Sequence, residues 1–114
     1  MALRLSTPWR PLTAEAVAPL QAQLGVYEIA DAEGRVLFIG FAGGRSLFGL
    51  RGLLQEEIAK ARPEAAQFRV EVNQQYWSRQ HELLMAHQAD HGALPRDNAA
   101  GELRPNVLGR LSPA

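Results

Sequence analysis

Three histidines fall within one short segment of the sequence, and their spacing bears on metal binding. His87 and His91 are four residues apart, so on a helix they share one face at the spacing of paired metal ligands. His81 falls on a neighbouring part of the same segment, directly before Glu82. This His-Glu pair lacks the second histidine of the zinc-protease signature. The pattern leaves two interpretations open: a metal site, and the commoner arrangement of surface histidines near a helix end.

A glycine-rich corner is a second candidate for binding chemistry. Residues 43–46 read Gly-Gly-Arg-Ser and precede a predicted helix, whose first backbone N–H groups favour an anion. Arg45 adds a positive charge there. Gly49 and Gly52 in the next turn would allow a ligand phosphate to approach the backbone closely. The corner is not a Walker A loop, because no lysine stands in the required place.

The residues around this corner must be positioned by two adjacent strands. Val26 to Ile29 and residues 36–41 are rich in β-formers. The turn residues 31–34 lie between them, and Gly34 takes a positive φ without steric cost. This pattern predicts an antiparallel hairpin. Because the second strand is apolar except at Gly40, we expect it to be buried on both faces and central in the sheet.

Three further elements follow the hairpin. A helix over residues 47–61 is predicted from an apolar stripe at helical spacing, with Ser46 as its N-cap. Residues 68–72 alternate apolar and charged side chains, which predicts a strand with one covered face. Residues 76–91 form a second long predicted helix that stops near Gly92.

The terminal segments look less regular. Residues 1–12 read as an irregular lead-in, and Thr13 is suited to cap a short helix after them. Residues 95–114 read as an irregular tail over the surface, with room for one short turn of helix. We therefore expect one domain over residues 1–114, with its core at about residues 24–98. The order of elements predicts a small α/β (α+β) domain in which helices cover a three-stranded sheet.

Composition excludes several classes of protein. Of the 114 residues, 46% are hydrophobic and 21% are charged, which is ordinary for a globular domain. There is no cysteine, so disulfides, cysteine zinc sites and thiol catalysis are excluded. No signal peptide and no membrane span are visible, so we expect a cytoplasmic protein without a membrane partner. The net charge of zero provides no general attraction to nucleic acid.

The hairpin also carries a resemblance to a known family. Gly25-Val26-Tyr27, ten residues, then Phe38-Ile39-Gly40 resembles the paired tripeptides of the GIY-YIG nuclease superfamily. The resemblance extends to about Asn98. It implies a three-stranded antiparallel sheet flanked by helices, and metal-dependent hydrolysis of DNA phosphodiester bonds.

The resemblance also implies roles for individual residues. Tyr27 corresponds to the tyrosine proposed as general base for the attacking water. Phe38 stands where the family usually has a tyrosine, so one hydroxyl of the usual network is missing. Arg51 corresponds to the helix arginine that contacts the scissile phosphate, although it lies eleven residues after Gly40 instead of the more common distance of about eight. Arg45 is the rival for this role.

Later residues complete the implied site. Glu82 corresponds to the family's metal-binding glutamate, which would hold a divalent ion such as Mg²⁺. The alternative is an exposed Arg79–Glu82 ion pair on one helix face. Asn98 resembles a late asparagine that helps to order the site, and a turn asparagine is its alternative. His81 is a candidate proton carrier beside Glu82.

Three hypotheses about function follow. The first is a GIY-YIG-like endonuclease whose weak affinity for DNA is supplemented by a partner protein. The second is a catalytically inactive GIY-YIG-like module that binds nucleic acid or protein, with Leu47 and Phe48 as a protein contact. The third is an unrelated α/β domain that matches the tripeptides by chance.

Overall fold

The computed structural model describes residues 3–44 and 46–101. Over these ranges the chain forms one four-stranded antiparallel sheet with flanking helices. This confirms the predicted α+β class, with one strand more than expected. The elements in chain order are β1 (Arg10–Pro11), α1 (Ala14–Val17), β2 (Gly25–Ala30), β3 (Val36–Ala42), α2 (Gly49–Lys60), β4 (Gln67–Val72), α3 (Tyr76–His91) and α4 (Arg96–Ala99).

The strand order β1-β4-β2-β3 places β2 in the interior of the sheet. Tyr27 of β2 is paired with Gly40 of β3 on one side and with Val70 of β4 on the other. The expectation that the second hairpin strand is central was therefore wrong, because β3 lies at an edge. The apolar sequence of β3 reflects the burial of both of its faces. Burial of both faces does not indicate whether a strand has one or two neighbouring strands. The additional strand β1 lies in the segment predicted to be irregular.

The turn between β2 and β3 has the predicted chemistry. Gly34 has φ +89°, a conformation that glycine adopts without strain. Its N–H donates to the carbonyl of Asp31, and the Asp31 carboxylate accepts from the backbone N–H groups of Glu33 and Arg35. These bonds satisfy the turn locally and confirm the antiparallel hairpin.

Alternation along β2 divides the core between the two faces of the sheet. Tyr27 and Ile29 point to the face that α1 and α2 cover, whereas Val26 points to the face that α3 covers. The core on the first face also contains Val17, Phe38, Leu50, Leu54 and Phe68. The core on the second face also contains Leu5, Ile39, Leu83 and Leu84.

Helix α2 starts later than predicted. It begins at Gly49, and the preceding Phe48 has a left-handed backbone with φ +63°. Ser46 does not cap the helix: its hydroxyl accepts a hydrogen bond from the N–H of Gly43 at 3.0 Å, which closes the corner. A Cβ at Gly49 would lie 2.6 Å from the carbonyl oxygen of Gln23, and one at Gly52 would lie 2.3 Å from that of Leu47. The two glycines thus allow other backbone segments of the same chain to approach closely. The sequence had suggested that a ligand phosphate would take this place.

Helix α3 spans the predicted residues and ends at Gly92, which has φ +78°. This left-handed cap confirms the predicted stop. Across residues 3–44 and 46–101, no helix combines the length and apolar character needed to cross a membrane.

Candidate functional site around Tyr27

Tyr27 lies in the interior between β2 and α2. Its side chain is 3% exposed, and its hydroxyl donates to Oε2 of Glu57 on α2 at 3.2 Å. Its ring packs at a tilt against Phe38, with 6.1 Å between the ring centres. The side chain that the resemblance assigns to water activation therefore faces a buried carboxylate.

Close packing explains why glycine stands at both Gly25 and Gly40 of the tripeptide pair. A Cβ at Gly40 would lie 2.5 Å from Cζ and from the hydroxyl oxygen of Tyr27, because the Tyr27 ring crosses the strand at that point. A Cβ at Gly25 would lie 2.2 Å from the carbonyl oxygen of Glu71 and 3.0 Å from Leu50. Real Cβ atoms are not found at such distances. The glycines are thus required by the contacts between the strands and their neighbours.

Arg62 joins the Tyr27–Glu57 pair to the C-terminal part of the domain. Its guanidinium donates to both carboxylate oxygens of Glu57, at 3.0 and 2.9 Å, and to Oδ2 of Asp97 at 2.9 Å. Its Cζ lies 4.3 Å from the centre of the Phe38 ring. The planar fork of arginine suits this simultaneous bidentate and cation–π contact. We call Tyr27, Glu57, Arg62 and Asp97 the buried polar network.

Two positive charges hold Asp97 in its ionised form. Hydrogen bonds from Arg96 and then from Arg62 lower the pKa of Asp97 below its ordinary value, and this effect outweighs the opposing effect of burial. Arg96 donates to Oδ1 at 2.8 Å. The buried polar network therefore ends in a carboxylate that remains charged at neutral pH.

Asn98 seals the free edge of β3. It is fully buried, its Oδ1 accepts from the N–H of Ile39 at 2.9 Å, and its Nδ2 donates to the carbonyl of Ile39 at 3.1 Å. Gln80 donates to the same carbonyl at 3.0 Å. Asn98 lies in α4 and not in a turn, and its amide replaces the strand that β3 lacks on this side.

One of the two arginine candidates for phosphate binding lies within the described residues. Arg51 is half-buried in the first turn of α2, and its guanidinium lies 3.5 Å from the carbonyl oxygen of Leu20. Glu57, six residues further along α2, is held by Arg62 and Tyr27. Arg45 lies outside the described residues.

Glu82 belongs to a different group of charges, on the α3 side of the sheet. Its Oε1 accepts from Arg79 at 2.9 Å, and its side chain is 49% exposed. The buried Arg79 also donates to both carboxylate oxygens of Glu71 and to the carbonyl of Leu3. Burial alone would raise the pKa of Glu71, but hydrogen bonds from Arg79 and Asn73 outweigh it and lower that pKa. The Arg79–Glu82 ion pair expected as the alternative is present, but it is not the exposed pair that was expected, because the Arg79 side chain is buried.

The histidines are spread along the outer side of α3. His81 is half-buried and packs edge-on against Trp77, with 5.5 Å between ring centres. His87 and His91 lie closer together, with 4.4 Å between ring centres. Burial lowers the pKa of His87, and the nearby His91 acts in the same direction. Among the described residues, no group of three or more His, Cys, Asp or Glu side chains is placed to hold a metal ion.

The fold thus brings together only some of the candidate residues. Tyr27 and Phe38 meet, and both are joined through Arg62 and Asp97 to the helix that carries Asn98. Glu82 and His81 lie on α3, which packs on the opposite face of the sheet from Tyr27. The candidate base and the candidate metal ligand are consequently separated by the sheet.

Comparison with known proteins identifies the family. A family model for DUF7508, a domain of unknown function, matches residues 3–90. The chain belongs to the DUF7508 family. No curated protein and no solved structure was found to match it.

The sequence interpretation of this DUF7508 domain missed the partners of Tyr27. Glu57 and Arg62 are five residues apart, which is outside the three- or four-residue spacing at which side chains of one helix meet, so the sequence gives no local signal for their ion pair. Nothing local indicates that this pair is buried or that Tyr27 and Asp97 join it. Asp97 is next to Asn98, so the resemblance pointed to the correct segment of the chain but to only one of its two buried polar residues.

Proposed function

We propose that this DUF7508 chain is a catalytically inactive GIY-YIG-like module that acts in the cytoplasm by binding a protein partner. The observation that carries the proposal is the engagement of the Tyr27 hydroxyl by Glu57 inside the buried polar network. The Tyr27 side chain then contributes to the stability of the fold, and the binding function of the domain lies on its surface.

The position of Tyr27 is unsuited to activating water. A general base must come within hydrogen-bond reach of the proton that it abstracts. The Tyr27 hydroxyl is buried and donates its proton to a carboxylate. Loss of that proton would place a second negative charge against Glu57, which burial makes more costly. Phe38, in place of the second tyrosine, brings no hydroxyl to compensate.

The exposed apolar residues favour a protein as the partner. Leu47 is 78% exposed and Phe48 is 61% exposed, at the corner before α2. Val72 and Trp77 are also exposed large hydrophobic residues. All four lie near the same end of the sheet, where β2 begins and where β3 and β4 end. Apolar and aromatic side chains are typical of the centre of a protein interface, whereas a net charge of zero does not favour nucleic acid.

The second candidate function is the metal-dependent DNA endonuclease that the resemblance implies. One observation favours it: the Glu82 side chain remains 49% exposed, so solvent and ions reach it in spite of its bond to Arg79. In that case Glu82 would hold Mg²⁺ and Arg51 would contact the phosphate, and a group other than the Tyr27 hydroxyl would have to activate the water.

A cleavage assay separates these two functions. Labelled single-stranded, duplex and branched DNA are incubated with the purified chain and Mg²⁺ or Mn²⁺, beside a Glu82→Gln variant. The proposed module produces no cleavage with either protein. Metal-dependent cutting by the original chain that Glu82→Gln abolishes would replace the proposal with the endonuclease.

A second assay tests the binding surface. Proteins that copurify with the chain from its own cells are compared between the original chain, a Leu47→Asp variant and a Met85→Asp variant. Met85 is an exposed apolar residue on α3 and serves as the matched control. We expect Leu47→Asp to lose a partner that Met85→Asp retains. Equal recovery of every bound protein by the two variants would contradict a partner surface at the corner.

A further inference from the structure

His87 and His91 form a close pair on the last turns of α3. Their ring centres are 4.4 Å apart, and the rings are tilted by 42°. Zn–N distances of about 2.0–2.1 Å place each ring centre roughly 3.2 Å from a bound ion, so two rings at the tetrahedral angle of about 109° have centres about 5.2 Å apart. The observed separation of 4.4 Å is about 0.8 Å shorter, and rotation of the two side chains is enough to bring both rings to one ion without movement of the helix.

The hydrogen bond of His87 leaves the correct nitrogen available. Its Nδ1 lies 3.0 Å from the carbonyl oxygen of Ala93. A carbonyl accepts hydrogen bonds only, so Nδ1 carries the proton, and in the neutral ring Nε2 keeps its lone pair. Histidine ligands of metals commonly donate their second ring N–H to a backbone carbonyl, which orients the ring. His87 is already oriented in this way.

The surroundings of the pair also favour a cation. The two rings lie at the C-terminal end of the 16-residue helix α3, where the free carbonyl groups carry a partial negative charge. Asp90 lies on the same turn, but its carboxylate is held by Arg4 through two hydrogen bonds of 2.6 Å. It adds negative charge nearby without being placed as a third ligand, in agreement with the lack of a group of three such ligands among the described residues.

The geometry points to a two-histidine site for a borderline-soft divalent ion such as Zn²⁺, formed by Nε2 of His87 and a ring nitrogen of His91. Imidazole ligands suit zinc and its neighbours in the first transition row, whereas Mg²⁺ prefers oxygen. The remaining coordination positions are open to water or to a donor from another molecule. This site is independent of the proposed binding function and of the implied Mg²⁺ site at Glu82.

Titration of the tag-free chain with Zn²⁺ tests the site. Isothermal titration calorimetry at neutral pH is expected to show one ion bound per chain. Replacement of either ligand, in His87→Gln or His91→Gln, is expected to weaken Zn²⁺ binding at least about tenfold. The control His81→Gln changes a histidine of the same helix outside the pair, and its affinity is expected to stay within about twofold of the original.

A second measurement locates the ion. In ¹H–¹⁵N spectra of the histidine side chains, substoichiometric Zn²⁺ is expected to shift the signals of His87 and His91 and leave those of His81 unchanged. The same shifts should persist in an excess of Mg²⁺. The proposal is overturned by a His91→Gln variant that binds as tightly as the original chain, by equal losses in His81→Gln, or by an absence of both heat and shifts.

Discussion

The hydroxyl of Tyr27 donates a hydrogen bond to Oε2 of Glu57, at 3.2 Å, across the buried contact between β2 and α2. The same oxygen of Glu57 accepts from Arg62 at 2.9 Å. The carboxylate is therefore neutralised by an arginine while it holds the tyrosine. Tyr27 therefore contributes to the packing of β2 against α2, and its effect is on the free energy of unfolding.

Removal of the Tyr27 hydroxyl should have a modest cost. In Tyr27→Phe, Glu57 keeps both of its bonds to Arg62, so we expect the free energy of unfolding to fall by about 1 kcal/mol. Urea unfolding measures this change. Tyr76→Phe is the control, because the Tyr76 hydroxyl accepts a hydrogen bond from the Gly44 N–H at an exposed position. A change in the free energy of unfolding within about 0.5 kcal/mol is expected for this control. Equal losses in both variants would contradict a special role for the buried hydroxyl.

Replacement of Arg62 should be far more damaging. Arg62→Met leaves the buried carboxylate of Glu57 without its bidentate partner and removes one of the two arginines that hold Asp97. Breaking a buried ion pair by removing one partner costs about 3–5 kcal/mol, whereas an exposed pair contributes about 0–1 kcal/mol. Arg35→Met, which removes an exposed partner of Asp31, is the matched control. Thermal unfolding of both variants would reveal the difference, and similar melting temperatures would refute it.

Gly40 should not accept a side chain while the Tyr27 ring is present. In Gly40→Ala the new Cβ meets the Tyr27 ring at 2.5 Å, and we expect a loss of about 1–3 kcal/mol from overpacking. Gly44→Ala is the control, since the nearest atom to its added Cβ is 4.0 Å away. A Tyr27→Ala background should remove the clash with the tyrosine ring and leave the contact with Phe38, 2.8 Å from the added Cβ, so the penalty at Gly40 should become smaller. Urea unfolding of the original chain, Gly40→Ala, Tyr27→Ala and the double variant forms a double-mutant cycle, and simple additivity would argue against the contact.

Loss of the Asn98 amide should open the edge of β3. Asn98→Ala removes the acceptor of the Ile39 N–H and leaves this buried donor without that bond, at a cost of about 1–3 kcal/mol. Hydrogen exchange measured by NMR should become faster at Ile39 than at Ile29, which lies within the paired strand β2. Unchanged protection of Ile39 would show that another group replaces the amide.

Asp97 should contribute to unfolding in acid. Hydrogen bonds from Arg96 and Arg62 lower the pKa of Asp97 in the folded chain below the ordinary 3.8. The unfolded chain therefore takes up the proton first as the pH falls, so the stabilisation by Asp97 is present above pH 3.8 and is lost as the pH falls through the lower, folded value. Urea midpoints measured between about pH 5 and pH 2 should fall less steeply in Asp97→Asn than in the original chain. The exposed Glu15→Gln is the control, and parallel curves for Asp97→Asn and the original chain would contradict this account.

Local chemistry explains why much of the fold could be predicted. The turn at residues 31–34, the alternation in β4 and the limits of α3 depend on side chains within a few positions of one another. The start of α2 was misplaced because Ser46 bonds back to Gly43 instead of capping the helix, and both uses of a serine look alike in the sequence. The family resemblance led to Tyr27 and Asn98, and the fold places both side chains in buried hydrogen bonds.

What the sequence by itself determined is the set of elements and their apolar faces, because helix and strand periods and turn conformations are properties of short segments. Only the tertiary structure decided which polar residues meet inside. Arg62 reaches Asp97 over a separation of 35 residues, and Asn98 reaches Ile39 over 59. These partners are selected by the burial of groups that must be hydrogen-bonded once water is excluded, and burial depends on how all the elements pack together.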